Sequence, residues 1–376
     1  MSQVIPAQRL GQGPDDPRAG TACGGCTVSP CCTNVPLATF RMRTAADLDL
    51  ARYLLNFEGI ELGMVASFRP GEEDWTVRLR SPCRKLDRSV PGRWLCSVHD
   101  TPEQPRVCAS FDGMMCWYRR VLGPEAYVVS GEFLRIDRAR LELMMPLMQQ
   151  EAGGDLRLLP EWSQLIELFR DVPLATAWFE TSGASGASGA SGAVAGVGQA
   201  IAPPPASIAP PPASIAPPPG PQPLRVLPAE RDDRGACNGC AAHCCETLFF
   251  PRRPPLRRAA LDYTRFLLGF AGVRLGVSDD EWTILVDTRC RHLGLDARCG
   301  VLGRSERPQL CRELEAEGCN VRARLGPGAS DLLQVDEAGF LDLADVIEFD
   351  ATGAVVRIPP VDELTRHLAA VRARGA

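Results

Sequence analysis

The stretch Arg265-Phe266-Leu267-Leu268-Gly269-Phe270-Ala271-Gly272, closing in Leu275-Gly276, occurs once already in this chain. Its earlier form is Arg52-Tyr53-Leu54-Leu55-Asn56-Phe57-Glu58-Gly59, closing in Leu62-Gly63. The parallel continues through Glu73-Asp74-Trp75-Thr76-Val77 and Asp280-Glu281-Trp282-Thr283-Ile284, and each tryptophan stands eight residues before a cysteine, Cys83 or Cys290. Cys83-Arg84-Lys85-Leu86 then matches Cys290-Arg291-His292-Leu293. An internal repeat of this length sets the organisation of the chain before any fold is assumed.

Local periodicity gives each copy the same elements. Apolar residues at helical spacing predict helices over about 46–58 and 256–270, with Gly59 and Gly272 as their stops. Trp75–Leu79 and Trp282–Val286 are rich in β-formers and predict short strands. Pro105 and Pro308, each three residues before a cysteine, suit the first turn of a short helix. Arg138–Gln150 and Val361–Arg372 look like amphipathic helices, and the acidic segment 331–350 like a solvated face or turn region. Trp75 and Trp282 are expected as core anchors. The fold class is α+β: two small cysteine-rich, metal-stapled modules with short helices and small irregular sheets, joined by a disordered Ala/Gly/Pro-rich linker.

Composition places the boundaries. Residues 182–223 carry no charge, open on Ser-Gly-Ala repeats and continue with three Ile-Ala-Pro-Pro-Pro units from Ile201, Ile208 and Ile215. Such a chain is a flexible coil followed by a stiffer polyproline spacer. Residues 1–22 are therefore taken as a flexible N-terminus and 23–181 as a first cysteine-cluster module with a helical C-terminal extension. Residues 182–223 form the linker, and 224–376 a second module with its own extension.

The 376 residues hold 16 cysteines, and every one falls into one of two octets. The first is Cys23, Cys26, Cys31, Cys32, Cys83, Cys96, Cys108 and Cys116; the second is Cys237, Cys240, Cys244, Cys245, Cys290, Cys299, Cys311 and Cys319. In both, the last three cysteines are separated by steps of twelve and then eight. A Cys-x-x-Cys turn aims two sulfurs at one ion, whereas a vicinal pair is expected to point its side chains apart. Soft thiolates select zinc, copper(I) or iron–sulfur clusters over hard cations. The cofactor expected is zinc or iron, the latter including an iron–sulfur cluster, with Arg84, Arg291 and Arg312 as nearby cations for the thiolates. Each octet is complete, so each half is expected to hold metal by itself.

A disulfide framework fits the even count, but no export signal is visible in residues 1–20, and a cytoplasmic setting keeps thiols reduced. No stretch approaches the ~20 apolar residues of a membrane span. A net charge of −5 and the absence of a basic tract argue against a nucleic-acid partner.

The order Cys237-Asn238-Gly239-Cys240, Cys244-Cys245, Cys290-Arg291-His292-Leu293, Cys299 and Arg307-Pro308-Gln309-Leu310-Cys311 resembles the YkgJ-type cysteine-cluster family, a zinc- or iron-chelating domain. The first half departs from it in two places: Gln104 stands for the arginine of the Arg-Pro pair, and four residues rather than three precede the vicinal pair. The resemblance implies a metal-binding protein with two tandem copies. Some flagellin lysine methylases resemble the same family, which keeps open an iron–sulfur enzyme acting on another protein. A zinc-stapled module whose C-terminal helices bind a protein partner is the third reading. No catalytic residue is assigned. His243 and His99 lie beside cysteines but lack counterparts in the other copy and are read as bystanders. The His-Glu-x-x-His, Gly-x-Gly-x-x-Gly, Gly-x-Ser-x-Gly and Gly-Lys phosphate-loop signatures are all missing.

Overall fold

The computed structural model describes residues 30–65, 74–90, 93–110, 133–151, 154–158, 160–170, 172, 243–313 and 332–375. The N-terminal segment, the linker and six cysteines (Cys23, Cys26, Cys116, Cys237, Cys240 and Cys319) lie outside these residues.

The first half begins with a 3-10 turn, Pro30–Cys32, followed by β1 (Val35–Phe40) and α1 (Ala45–Leu54). Strands β2 (Ile60–Val65) and β3 (Asp74–Leu79) come next, then a small hairpin, β4 (Leu86–Val90) and β5 (Arg93–Cys96). The short helix α2 (Arg106–Ala109), β6 (Phe133–Ile136) and α3 (Arg138–Met144) follow. A second small hairpin, β7 (Met148–Gln150) and β8 (Leu156–Leu158), leads to α4 (Trp162–Phe169). The second half runs from the 3-10 turn His243–Cys245 through β9 (Thr247–Arg252), α5 (Arg258–Leu268), β10 (Val273–Val277) and β11 (Trp282–Asp287). It continues with α6 (Gln309–Glu313), β12 (Leu333–Val335), α7 (Glu337–Ala344), the pair β13 (Glu348–Phe349) and β14 (Val355–Arg357), and α8 (Val361–Gly375). The fold is α+β, with small antiparallel sheets.

The two four-stranded sheets have the orders β1-β3-β2-β6 and β9-β11-β10-β12. Their registers correspond: Gly63 faces Thr76 and Arg135 as Gly276 faces Thr283 and Gln334. The central strands β3 and β11 carry the tryptophans as buried anchors, each 3% exposed. Helix α1 starts in a capping box, in which the Thr44 hydroxyl accepts from the Asp47 amide and the Asp47 carboxylate accepts from the Thr44 amide. Helix α5 lacks a side-chain cap and instead donates its Arg258 amide to the Gly353 carbonyl, while Leu261, Thr264, Leu267 and Leu268 turn inward at helical spacing.

Gly59 and Gly272 do not end the helices, which stop at Leu54 and Leu268. They turn the chain into β2 and β10 with φ of +71° and +78°, and a Cβ there would meet the Arg80 and Asp287 carbonyl oxygens at 3.0 and 2.9 Å. The helix expected over 138–150 stops at Met144, because Pro146 has no amide to continue the ladder; the chain enters a 3-10 turn and then β7. The acidic segment is not simply a solvated face. From residue 332 it supplies β12 and α7, whose Phe340 and Leu343 are each 1% exposed.

The halves are interlocked by reciprocal contacts. Phe57 pairs across an isolated bridge with Cys290, and Phe270 with Cys83. Around the first bridge, Glu58 N–H donates to Arg289 O (2.9 Å) and Arg291 N–H to Asn56 O (2.9 Å). Around the second, Arg84 N–H donates to Gly269 O (2.7 Å) and Ala271 N–H to Pro82 O (3.1 Å). The Ser81 and Thr288 hydroxyls repeat the exchange toward Ala271 O and Glu58 O. Phe57 and Phe270 are almost fully buried in a core shared by both halves, and burial of each ring contributes roughly 1.5–3 kcal/mol.

Candidate metal centre

Five cysteines of each half lie among the described residues, and all ten are free thiols. In the first half Cys31 and Cys32 end the 3-10 turn, Cys83 follows β3, Cys96 closes β5 and Cys108 sits in α2. The backbone ties them together. Cys83 N–H donates to Cys32 O (2.7 Å), Cys83 O accepts from Leu86 N–H (3.0 Å), and Leu86 lies opposite Cys96. The second half repeats this wiring, with Cys290 N–H to Cys245 O (2.7 Å), Leu293 N–H to Cys290 O (3.0 Å) and Leu293 bridged to Cys299.

The vicinal pairs depart from expectation. Their sulfurs do not point apart: Cys31 Sγ to Cys32 Sγ is 3.9 Å, and Cys244 Sγ to Cys245 Sγ is 4.0 Å. A 3-10 turn rotates successive side chains by only about a third of a turn, which lets both lean to one side. Two ligands at ~2.3 Å from one tetrahedral ion would stand roughly 3.8 Å apart.

The thiols of each half are near enough to act on one another. A hydrogen bond from Cys32 draws the Cys31 thiol below its ordinary range, while Cys32 is held well above it by that bond, by burial and by Cys31, Cys83 and Cys96. Burial, then neighbouring thiolates, pushes Cys83 up to about 11 and Cys108 to about 12. In the second half the bond from Cys245 brings Cys244 down to about 7. Cys245 and Cys290 are raised, and Cys311 is pushed up to about 12 by burial and by Cys244, Cys290 and Cys299. Among the described residues each half thus sets one lowered thiol, Cys31 or Cys244, beside others that resist ionisation. Among the described residues, however, no three His, Cys, Asp or Glu side chains are arranged to hold a metal ion.

Each set is covered by the helix of the opposite half. Asp49 on α1 accepts from the Leu310 amide (2.9 Å) in the first turn of α6, which carries Cys311. Asp262 on α5 accepts from the Val107 amide (3.0 Å) in α2, which carries Cys108. These carboxylates cap orphan amides at helix starts. The Tyr53 hydroxyl on α1 donates to Cys244 O (3.3 Å). Reading one repeat at a time misses these covering residues. Their signal was the recurrence of an acidic residue three positions before Arg52 and Arg265.

The other expected residues fall as follows. Arg84 reaches Leu268 O (3.4 Å), and Arg312 is tied to Ser305 O (2.8 Å) and Arg307 O (3.1 Å), so both guanidiniums serve backbone carbonyls. Arg291 and His292 line a cavity beside the second set. His243 lies in the 3-10 turn itself, and His99 stands 3.0 Å from the Asp100 carboxylate. No described helix is long and apolar enough to cross a membrane. No family model, curated protein or solved structure matches this chain.

Proposed function

We propose that this chain binds zinc or iron through cysteine thiolates in each of two repeated halves, with the metal acting at least as a structural staple. The observation that carries the proposal is the same convergence twice: a vicinal pair with sulfurs 3.9 or 4.0 Å apart, backed by half-buried thiols that act on one another's ionisation. Crowded thiols that cannot all ionise are costly as thiolates until a soft cation neutralises them, and such a cation is what the set would accept. Cys31, Cys32, Cys83, Cys96 and Cys108 would serve one half, and Cys244, Cys245, Cys290, Cys299 and Cys311 the other. Cys23, Cys26, Cys116, Cys237, Cys240 and Cys319, outside the described residues, would complete the two octets of donors. The bound ion would supply cross-linking of loops that have little regular structure of their own, and structural zinc contributes roughly 10–16 kcal/mol of apparent binding free energy.

Anaerobic purification with metal analysis tests this directly. Stoichiometric zinc in a colourless protein, or iron with absorption near ~400 nm, is the expected outcome. A chain that binds neither, and whose melt is unmoved by chelator under strong reductant, would refute the proposal.

The pH dependence sharpens the test. In the metal-free chain the raised thiols stabilise the fold fully below the ordinary thiol value of 9.0, and that contribution is lost as pH climbs through about 11 to 12. Cys31 and Cys244, being lowered, have the opposite sign. Their contribution is present above 9.0 and fades as pH falls, through about 7 for Cys244. The metal-free melting temperature should therefore peak between the two limits and fall above pH 9. The loaded chain, whose ligands are already ionised, should hold its melt there and lose metal in acid instead.

A further inference from the structure

Beside the second cysteine set lies a cavity of about 470 Å³, a volume within the range of small-molecule sites. Its charged walls are Arg291 and Arg304 from the second half, Arg138 from the first, and Glu306; His292 also lines it. Arg138 is engaged by Glu142 (Nε to Oε1, 2.6 Å) and by the Asn56 side chain, which fix its position. Among the described residues the Arg291 and Arg304 guanidiniums have no hydrogen-bonding or ion-pair partner, and the Nε2 of His292 is buried without one. Among the described residues, counting Glu142 with the lining residues, three guanidiniums stand against two carboxylates, so one positive charge is left over.

The other half shows what a neutralised version looks like. Lys85 occupies the place of His292, and Glu337 the place of Arg138 at the start of the helix after the fourth strand. There the two form an ion pair, Lys85 Nζ to Glu337 Oε2 at 3.4 Å, with Glu337 buried. At the cavity beside the second set the same two positions are His292 and Arg138, and among the described residues no carboxylate forms an ion pair with both. We propose that the cavity beside Cys290 and Cys299 binds a small oxyanion, a phosphate or carboxylate group of a small molecule, held by Arg291, Arg304 and Arg138. A guanidinium presents paired donors that match both groups, and it stays charged throughout the working pH range. The site draws residues from both halves, and its binding is read independently of any metal on the cysteines.

The test is calorimetric titration of the full chain, as purified and at low salt, with inorganic phosphate and separately with citrate. Saturable binding of either probe is expected, weakened about tenfold by Arg304→Gln and abolished by Arg138→Glu, which restores the carboxylate present in the other half. Glu306→Gln should tighten binding several-fold, an effect that a loss of folding cannot imitate. Arg304 is exposed, so its variant is expected to keep the wild-type melt, and it carries the test should Arg138→Glu not fold. No binding of either probe up to tens of millimolar, or equal affinity in the wild type, Arg304→Gln and Glu306→Gln, would overturn the site. Binding of phosphate alone or of citrate alone assigns the class of oxyanion.

Discussion

The two cysteine sets share their backbone wiring and their Asp49 and Asp262 caps, and differ in several other side chains around them. Tyr53 covers the second set, and the matching residue on α5 is Phe266; both stand edge-on to the central phenylalanines, at 5.1 and 5.2 Å. The ion pair at one rim is replaced by two bases at the other. On the second strand of each sheet, Glu61 bonds Arg135 in one half, and in the other Arg274 bonds Asp287 and Gln334. Two identical subunits meeting about a twofold axis must make every contact twice, so each contact has to suit both sides. Two halves of one chain are released from that constraint. The contrast shows main-chain wiring kept in duplicate while side-chain electrostatics diverged, so the two sites should differ in strength.

The sharpest break in the comparison is at the strand charges. Glu61 is 3% exposed; burial would raise its carboxyl, but Arg135 and Arg80 outweigh that and hold it below its usual value. Asn34 also donates to it (2.6 Å). Glu61→Gln leaves buried cationic charge without its partner and is expected to cost about 3–5 kcal/mol. Arg274 and Asp287 are 31% and 41% exposed, and Arg274→Gln should cost no more than about 1 kcal/mol. Denaturant titration of both variants reads the difference. Equal costs would mean that burial does not separate the two networks.

A smaller effect tests the crossed covers. Asp262→Ala removes a cap from α2 and should cost about 1 kcal/mol. Its diagnostic is location: pulsed alkylation read by peptide mass spectrometry should show faster labelling of Cys108, in the opposite half, with Cys311 unchanged. Asp49→Ala should do the converse. Labelling that rises only in the half carrying the substitution would show that each set is covered by its own half.

Much of this was legible locally. Strands β3 and β11 followed from Trp-Thr and β-branched residues, and the short helices after Pro105 and Pro308 from the restricted φ of proline. The long helices were found with frayed bounds, because apolar spacing continues past Leu54 into Phe57, which belongs to the interlock and not to the helix. Gly59 was misplaced because a glycine after a helix reads as a cap, whereas this one is needed for the close approach to the Arg80 carbonyl. The buried part of 332–350 was missed because acidic residues mask Phe340 and Leu343. Nothing local to either repeat could show that Tyr53 reaches Cys244, 191 residues away, or that Asp49 reaches Leu310, 261 residues away, since that depends on how the halves pair. The vicinal sulfurs converge through a 3-10 turn whose geometry a dipeptide does not reveal.

The finest test concerns Tyr53. Its hydroxyl is held well above its usual range by burial first and then by Cys311, Cys244, Cys245 and Cys290, so at neutral pH it is a neutral donor. The bond it donates to Cys244 O is 3.3 Å, longer than the ~2.5–3.0 Å of a strong O–H···O contact. A typical net contribution is about 0.5–1.5 kcal/mol, and this bond belongs at the lower end. Tyr53→Phe makes the second cover resemble the first, and stability should fall by less than about 1 kcal/mol. The site should nevertheless respond, because the carbonyl released belongs to Cys244, whose own thiol is brought down to about 7. Pulsed alkylation at pH 7 should label Cys244 faster in Tyr53→Phe, while Cys31, the matching residue of the other half, keeps its rate. A stability loss above ~2 kcal/mol would make Tyr53 a core anchor and no mere cover. An unchanged Cys244 rate would mean that the tyrosine–phenylalanine difference between the halves has no consequence for the thiols.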